Sequence, residues 1–224
     1  MGHQRADLEW RDGDVPVSVQ FQDPYFSLED GLAETRHVFL AGNDLPRRFA
    51  EGFHIAELGF GTGLNMLAAL IAWRQSGAPG RLRFISFEAF PMEASDIARA
   101  LEVFPEALSV ASPFLKAWAT GAREIITEDL HATIQIGDAR TRLAEWDGQA
   151  DAWFLDGFSP ARNPQMWEAG LMQEVGRHTM PGGTAATYTA AGFVRRGLED
   201  AGFDVTRAQG FGRKRHMTQA RMPA

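Results

Sequence analysis

Phe53-His54-Ile55-Ala56-Glu57-Leu58-Gly59-Phe60-Gly61-Thr62-Gly63-Leu64-Asn65 is the stretch whose reading decides the fold. A short apolar run ends on an acid, three glycines alternate, and an apolar segment of helical character follows from Leu64 to Arg74. That order of composition reads as a buried strand, a tight turn and a helix start. Gly59, Gly61 and Gly63 carry no Cβ to hold a ligand off the backbone, and each tolerates positive φ where the chain reverses. In an open α/β sheet, the crevice outside the carboxyl end of such a strand is where ligands bind.

Two ligand classes use turns of this kind. A dinucleotide fold wants Gly-x-Gly-x-x-Gly, with a helix N-terminus facing a pyrophosphate. Here the spacing is Gly-x-Gly-x-Gly, and Glu57 stands two residues before the first glycine. The pattern resembles motif I of the S-adenosylmethionine-dependent methyltransferases. Their ligand joins a nucleoside to an amino acid without phosphate, so an acid nearby is useful rather than repulsive. A glycine-rich turn that binds nothing is the bland alternative for any single match of this size.

The rest of the chain limits the options. With 224 residues and 45% hydrophobic content, it fits one large domain with a sizeable core. We expect residues 1–50 to form an N-terminal extension, a hairpin and a helix packed on the core, and residues 51–224 the methyltransferase domain that this resemblance implies. There are no cysteines, which excludes a disulfide framework and a Cys-ligated zinc site. The opening is too polar for a signal peptide, and the longest apolar run is too short to span a bilayer. A cytoplasmic monomer without membrane contact is the expectation. The net charge of −7 argues against a nucleic-acid partner, but its distribution is uneven. Residues 159–224 carry nine Lys/Arg against five Asp/Glu, a local excess that can meet phosphates. Six histidines show no metal-ligand spacing, and no metal is expected.

From Phe53 onward, strand and helix patterns alternate, the mark of a parallel sheet covered on both faces. Before it, a hairpin is expected around Arg11-Asp12-Gly13-Asp14, helix within 25–40, a turn at 43–46 and a helical lead-in at 47–51. After it, helices are expected at 64–75, 91–104, around 114–119, at 166–178 and at 192–201. Strands are expected at 82–87, 132–136, 150–155 and 184–188, with a closing antiparallel pair at 203–210 and 216–221. Glu57, Glu88, Asp138 and Asp156 then stand at four successive strand ends, on one rim. One such acid could simply close a turn. Four together suit a cationic sulfonium and repel phosphates. Glu88, about 25 residues past Gly63, suits the ribose hydroxyls. Asp138 with Ala139 suits the adenine end, and Asp156 the methyl-transfer position.

Asp151-Ala152-Trp153-Phe154-Leu155-Asp156-Gly157-Phe158-Ser159-Pro160-Ala161-Arg162-Asn163-Pro164-Gln165-Met166-Trp167 narrows the reading. It closely resembles a segment of the MnmC family, the methyltransferase part of the enzyme that finishes 5-methylaminomethyl-2-thiouridine at the tRNA wobble position. Tyr25-Phe26-Ser27, Asp30-Gly31-Leu32-Ala33-Glu34-Thr35 and Gly210-Phe211-Gly212-Arg213-Lys214-Arg215 are similar to the same family. The resemblance implies a Rossmann-like class I methyltransferase: a mostly parallel seven-stranded sheet, antiparallel C-terminal strand, helices on both faces. It implies S-adenosylmethionine as cofactor, held by Tyr25, Glu34, Glu57, Gly59, Phe60, Gly61, Thr62, Gly63, Asn65, Glu88, Asp138, Ala139 and Asp156. Asp156 is the expected catalytic carboxylate, orienting the aminomethyl group and accepting its proton. Phe158 and Pro160 would wall the flipped uracil, while Arg162, Arg213, Lys214 and Arg215 would reach tRNA phosphates, joined by Arg47 and Arg48 or by Arg195 and Arg196. The family's bifunctional members carry an FAD-dependent oxidase, and no second glycine fingerprint occurs here; a separate oxidase is an expected partner. The alternatives are a small-molecule amine methyltransferase and a non-catalytic nucleotide-binding module.

Overall fold

The structure, a computed structural model, describes residues 5–11, 14–27 and 30–224. Asp12 and Gly13 of the expected hairpin turn, Leu28 and Glu29 of the expected helical stretch, and His3 lie outside the described residues. Around the turn, β1 (Leu8–Arg11) and β2 (Val15–Ser18) pair antiparallel with Arg11 opposite Val15, and β3 (Asp23–Pro24) extends them to a small three-stranded sheet.

The quoted stretch folds as β4 (His54–Leu58), a glycine turn, and α2 (Leu64–Ser76). β4 pairs in parallel with β5 (Leu82–Glu88) and with β8 (Ala150–Leu155), so both its edges are hydrogen-bonded, and with helices over both faces all five residues are buried. Outward from this centre, β5 meets β7 (Leu130–Ile136) and β8 meets β9 (Thr179–Thr187), again in parallel. The seven expected strands are completed by β10 (Asp204–Gln209) and β11 (His216–Arg221), the latter antiparallel to both β10 and β9. An eighth, β6 (Glu124–Ile126), caps the far edge antiparallel to β7. Its three residues are too short for an alternation to show. The order is β10-β11-β9-β8-β4-β5-β7-β6.

Side-chain alternation splits the core into two layers. Ile55, Phe84, Ala152 and Phe154 face α2, α4 (Pro105–Val110) and α5 (Ser112–Ala119). Ala56, Leu58, Ile85, Phe87, Trp153 and Leu155 face α6 (Ala139–Arg142), α7 (Ala169–Arg177) and α8 (Gly192–Asp200). α2 is apolar all round and buried from Leu64 to Trp73, because α1 (Gly31–Thr35) and the π-helical turn Arg36–Leu40 cover its outer side. Leu32, Val38, Phe39, Leu40 and Leu45 thus join the main cluster.

Several expected elements move. Pro91 does not open a helix; α3 is shorter, Ala94–Leu101, and Pro105 instead sits in the first turn of α4, where its missing N–H costs nothing. Residues 47–51 form turns rather than helix, after left-handed Asp44. Met166 belongs to a 3₁₀ turn, Pro164–Trp167, and α7 begins only at Ala169.

Candidate functional site

The carboxyl ends of the parallel strands open into a cavity of about 790 Å³. Its floor is the glycine turn and its walls are the ends of β5, β7 and β8, N-terminal residues within 20–27 and 31–35, and the loop between β10 and β11. Gly59 has φ +88° and lies so close to the β8 loop that a Cβ would stand 2.0 Å from the Asp156 carbonyl oxygen. Only glycine lets the two strand ends approach that closely. Gly63, at φ +76°, starts α2 beneath Phe60 and Phe114 and does not reach the cavity.

Asp156 borders the cavity and is joined to α2 by one side chain. Asn65 Nδ2 donates to Asp156 Oδ2 at 2.7 Å and to Glu57 Oε1 at 2.9 Å, while Thr35 donates its hydroxyl to Asn65 Oδ1 at 2.8 Å. Burial pushes the Asp156 carboxyl up to about 7; Asn65 pulls it back, Glu34 adds to the rise, and Lys214 opposes it. The residue is only partly covered, since its remaining side faces the cavity.

Glu57 departs from its expected position. It is fully buried, lies behind Asn65, and does not border the cavity. Burial drives its carboxyl well above the usual range, eased by Ser86 and Asn65 and reinforced by Asp156 and Glu88. Its Oε2 and the Ser86 hydroxyl, register partners across the ladder, sit together without a well-aligned hydrogen bond. Such a setting disfavours the charged form of the carboxyl. The reason is alternation: a residue one place from the end of β4 points into a layer of the core, not along the strand axis.

Glu88 stands at the end of β5 and borders the cavity. Its Oε2 accepts the Gly61 N–H at 3.0 Å and its Oε1 the Phe90 N–H at 2.7 Å. Burial raises its carboxyl despite those donors. The Phe60 and Ala89 N–H groups also favour its charged form, so a ligand hydroxyl would share these oxygens with backbone donors. Asp138 reaches the same wall, but it is already committed. It caps α6 by accepting the Arg140 N–H at 2.9 Å, and the Arg140 guanidinium grips both its oxygens, holding it below the usual carboxylate range. The rim is therefore less negative than its count of acids suggests.

The aromatic wall is larger than expected. Phe158 stacks on Phe21, 4.8 Å between centroids, and meets Tyr25 edge-on at 4.9 Å. Phe60 and Thr62 line the floor beside Gly61, whose missing Cβ makes room for the Tyr25 ring. Pro160 and Arg162 lie outside the cavity lining, and Arg162 is exposed. Arg213 and Lys214 line it, whereas Arg215 is exposed beside it. Lys214 turns inward onto Glu34 rather than outward. Arg48 is at the other end of the strands, bonded to the Asn43 and Asp151 carbonyls, and Arg47 pairs with Asp44.

Several lining residues escaped sequence reasoning, among them Phe21, Tyr188, Asp23 and Thr35. Tyr188, just past β9, donates its hydroxyl to the Gly157 carbonyl at 2.7 Å; its place after a fifth strand was the available signal. Asp23 Oδ2 accepts the Ser159 N–H at 2.8 Å, a tie across 136 residues that leaves no local trace. Thr35 orients Asn65 in the same unannounced way. Among the described residues, no group of three or more His, Cys, Asp or Glu could hold a metal, and no helix is long and apolar enough to cross a membrane.

Residues 105–223 match the family described as S-adenosyl-L-methionine-dependent methyltransferase. That span takes in Asp138, Asp156 and the 210–215 loop; the glycine turn precedes it. The chain is 49% identical to the tRNA 5-methylaminomethyl-2-thiouridine biosynthesis bifunctional protein MnmC of Caulobacter sp. (strain K31), over 96% of this chain and 38% of that protein. It is 45% identical to the protein of that name from Stutzerimonas stutzeri (strain A1501), over 98% of this chain and 35% of that one. The chain thus spans well under half the length of these curated relatives. Among solved structures, MNMC2 from Aquifex aeolicus superposes with a TM-score of 0.77 at 26% identity, covering 99% of this chain and 73% of that one.

Proposed function

This chain belongs to the S-adenosyl-L-methionine-dependent methyltransferases, and we propose that it N-methylates the aminomethyl group of 5-aminomethyl-(2-thio)uridine at the tRNA wobble position. The product would be the 5-methylaminomethyl base. One observation carries the reading: a carboxyl poised near neutrality, Asp156, at a strand end beside the aromatic wall of Phe158, Phe21 and Tyr25. The likeness to proteins named for 5-methylaminomethyl-2-thiouridine biosynthesis supports the substrate.

The residues present fit the cofactor. Gly59 and Gly61 line the cavity floor, Glu88 would accept from the ribose hydroxyls, and Asp138 and Ala139 would border the adenine end. When bound, it supplies an activated methyl on a positively charged sulfur. The chain's own task is the nucleophile. An alkyl amine with a pKa near 10.4 is mostly protonated at pH 7, and exposing its neutral form costs about 4–5 kcal/mol. Asp156, ionised above about 7, attracts the ammonium, takes its proton and leaves the nitrogen lone pair free. Asn65 holds that carboxylate in place, with its amide orientation set by Thr35.

Phe158 would stack on the uracil once the base is flipped out of the anticodon loop. Arg162, Arg213 and Arg215 would meet tRNA phosphates around the cavity mouth, with residues 1–50 acting as an extension that walls the site of a 51–224 methyltransferase domain. The protein would work as a cytoplasmic monomer, with an FAD-dependent oxidase as its partner in the pathway. The test is mass analysis of the wobble nucleoside after incubating aminomethyl-bearing tRNA with protein and cofactor. A gain of one methyl on the amine is expected; an unchanged nucleoside overturns the proposal, and equal turnover of the free nucleoside would reassign the substrate to a small amine.

A further inference from the structure

The cavity already holds an ammonium group, and it is the chain's own. Lys214 Nζ donates to Glu34 Oε1 at 2.7 Å and stands over the Tyr188 ring, 4.1 Å from its centroid. A carboxylate together with an aromatic face is what a primary alkylammonium seeks. All three residues border the cavity. Glu34 projects from α1 with only 14% of its side chain exposed, and Tyr188 is pinned through its hydroxyl to Gly157, next to Asp156. Lys214 is the movable member. Its side chain is 46% exposed, on a four-carbon stem. Its loop backbone is closed independently, by Gly210 N–H to the Arg215 carbonyl and Lys214 N–H to the Phe211 carbonyl. Asp156 feels both charges, raised by Glu34 and lowered by Lys214, so the group lies within electrostatic reach of the proposed catalytic carboxylate.

We infer that Glu34 and Tyr188 form a binding site for a primary alkylammonium, filled in this structure by Lys214, which a ligand's ammonium displaces on binding. Two ligands carry that chemistry: the aminomethyl group of the substrate base, and the methionyl end of the cofactor. The first source rests on the function proposed above; the second needs only the cofactor. Displacement is cheap, because a half-exposed ion pair contributes little. It also frees Lys214 to turn outward beside Arg213 and Arg215, so filling the site adds a cation to the rim that RNA phosphates would meet.

The experiment is calorimetric titration of the wild-type chain, Lys214→Met and Glu34→Gln with four probes: S-adenosylmethionine, methylthioadenosine, 5-aminomethyluridine and 5-hydroxymethyluridine. Lys214→Met tightens an ammonium-bearing probe about two- to fivefold, the worth of the displaced ion pair. Glu34→Gln weakens the same probe about tenfold, and the matched neutral probe moves less than about twofold in either variant. A response confined to S-adenosylmethionine assigns the site to the methionyl end, and one confined to aminomethyluridine assigns it to the base. Both ammonium-bearing probes unchanged or weakened by Lys214→Met, or neutral probes shifting in parallel, overturn the inference. Should Lys214→Met fail to fold by circular dichroism, Glu34→Gln decides alone, by whether its loss is confined to ammonium-bearing probes. Because the S-adenosylmethionine and methylthioadenosine pair needs no RNA, an intact ammonium response without wobble methylation would sink the RNA reading and leave this one standing.

Discussion

The two ends of the parallel strands are built on opposite principles. At the amino ends, polar groups reach across elements and find partners. The His54 N–H donates to Asp151 Oδ2 at 2.8 Å, His54 Nδ1 meets the Gln149 carbonyl, and His178 Nδ1 meets the Gly148 carbonyl, with Trp146 packed between the two imidazoles. Burial lowers the His54 pKa to about 4, so the ring there stays neutral. At the carboxyl ends the partners run short: Glu57 Oε2 and Ser86 Oγ lack bonds, and Asp156 and Glu88 are raised by burial. Orphaned atoms alone do not mark a site, since Trp73 Nε1 and Trp153 Nε1 are orphaned as well. What sets the carboxyl end apart is two carboxyls raised by burial, Asp156 and Glu88, beside one large cavity. One end ties most of its polar groups across elements, Trp73 Nε1 and Glu174 Oε2 excepted; the other gathers carboxyls raised by burial around a space that a ligand can enter.

The sharpest way to break this contrast is Asp156→Ala. We expect methyl transfer in single-turnover assays to fall roughly 10³-fold with cofactor affinity within a few-fold of normal; near-normal turnover would remove Asp156 from the chemistry. In the wild type, activity should rise with pH to a plateau, with a midpoint about 7, because the carboxylate must be ionised to take the proton. Arg48→Ala probes the satisfied end. It strands the Asn43 and Asp151 carbonyls and should cost about 2–3 kcal/mol in urea unfolding while leaving cofactor affinity unchanged. A cofactor defect instead would mean the ends are not independent.

Asp156→Asn should do the reverse and stabilise the fold. A carboxyl raised from 3.8 to about 7 on folding is harmless below about pH 4 and increasingly destabilising as pH rises to 7. The full shift would correspond to about 4 kcal/mol; with one side open to the cavity, we expect about 2 kcal/mol at pH 8, vanishing toward pH 4 in thermal melts. Stability that does not change with pH would show that Asp156 is not held against its ionisation. Glu88→Gln should weaken cofactor binding about tenfold, or 1.4 kcal/mol, by replacing an acceptor oxygen with a donor. The smallest effect is expected from Arg162→Glu, a two- to threefold loss of tRNA binding that shrinks as salt is raised, read by filter binding at two ionic strengths.

Near the glycine turn, most of this contrast was legible before the fold was known. The strand, the turn and the helix at 53–76 follow from neighbours in sequence, as do acids standing at strand ends. Period, glycine and apolar runs act over a few residues, and those distances are what a sequence displays. The same logic fails where elements are short or covered by distant chain. Residues 47–51 look helical locally, yet the left-handed Asp44 before them starts a series of turns instead. The apolar outer face of α2 makes sense only once α1 and the π-helical turn lie over it.

By itself, then, the amino-acid sequence determined the layered α/β plan, the position of the crevice and the acids that would border it, because hydrophobic period and glycine conformation are properties of short segments. Tertiary structure decided which acids meet the cavity and which point away. It set Glu57 behind Asn65, spent Asp138 on Arg140, sent Arg48 to the far end and folded Lys214 back onto Glu34 across 180 residues. Those outcomes depend on side-chain direction and on contacts closed by the whole chain, where burial, rather than residue type, decides whether a charge is kept, paired or lost.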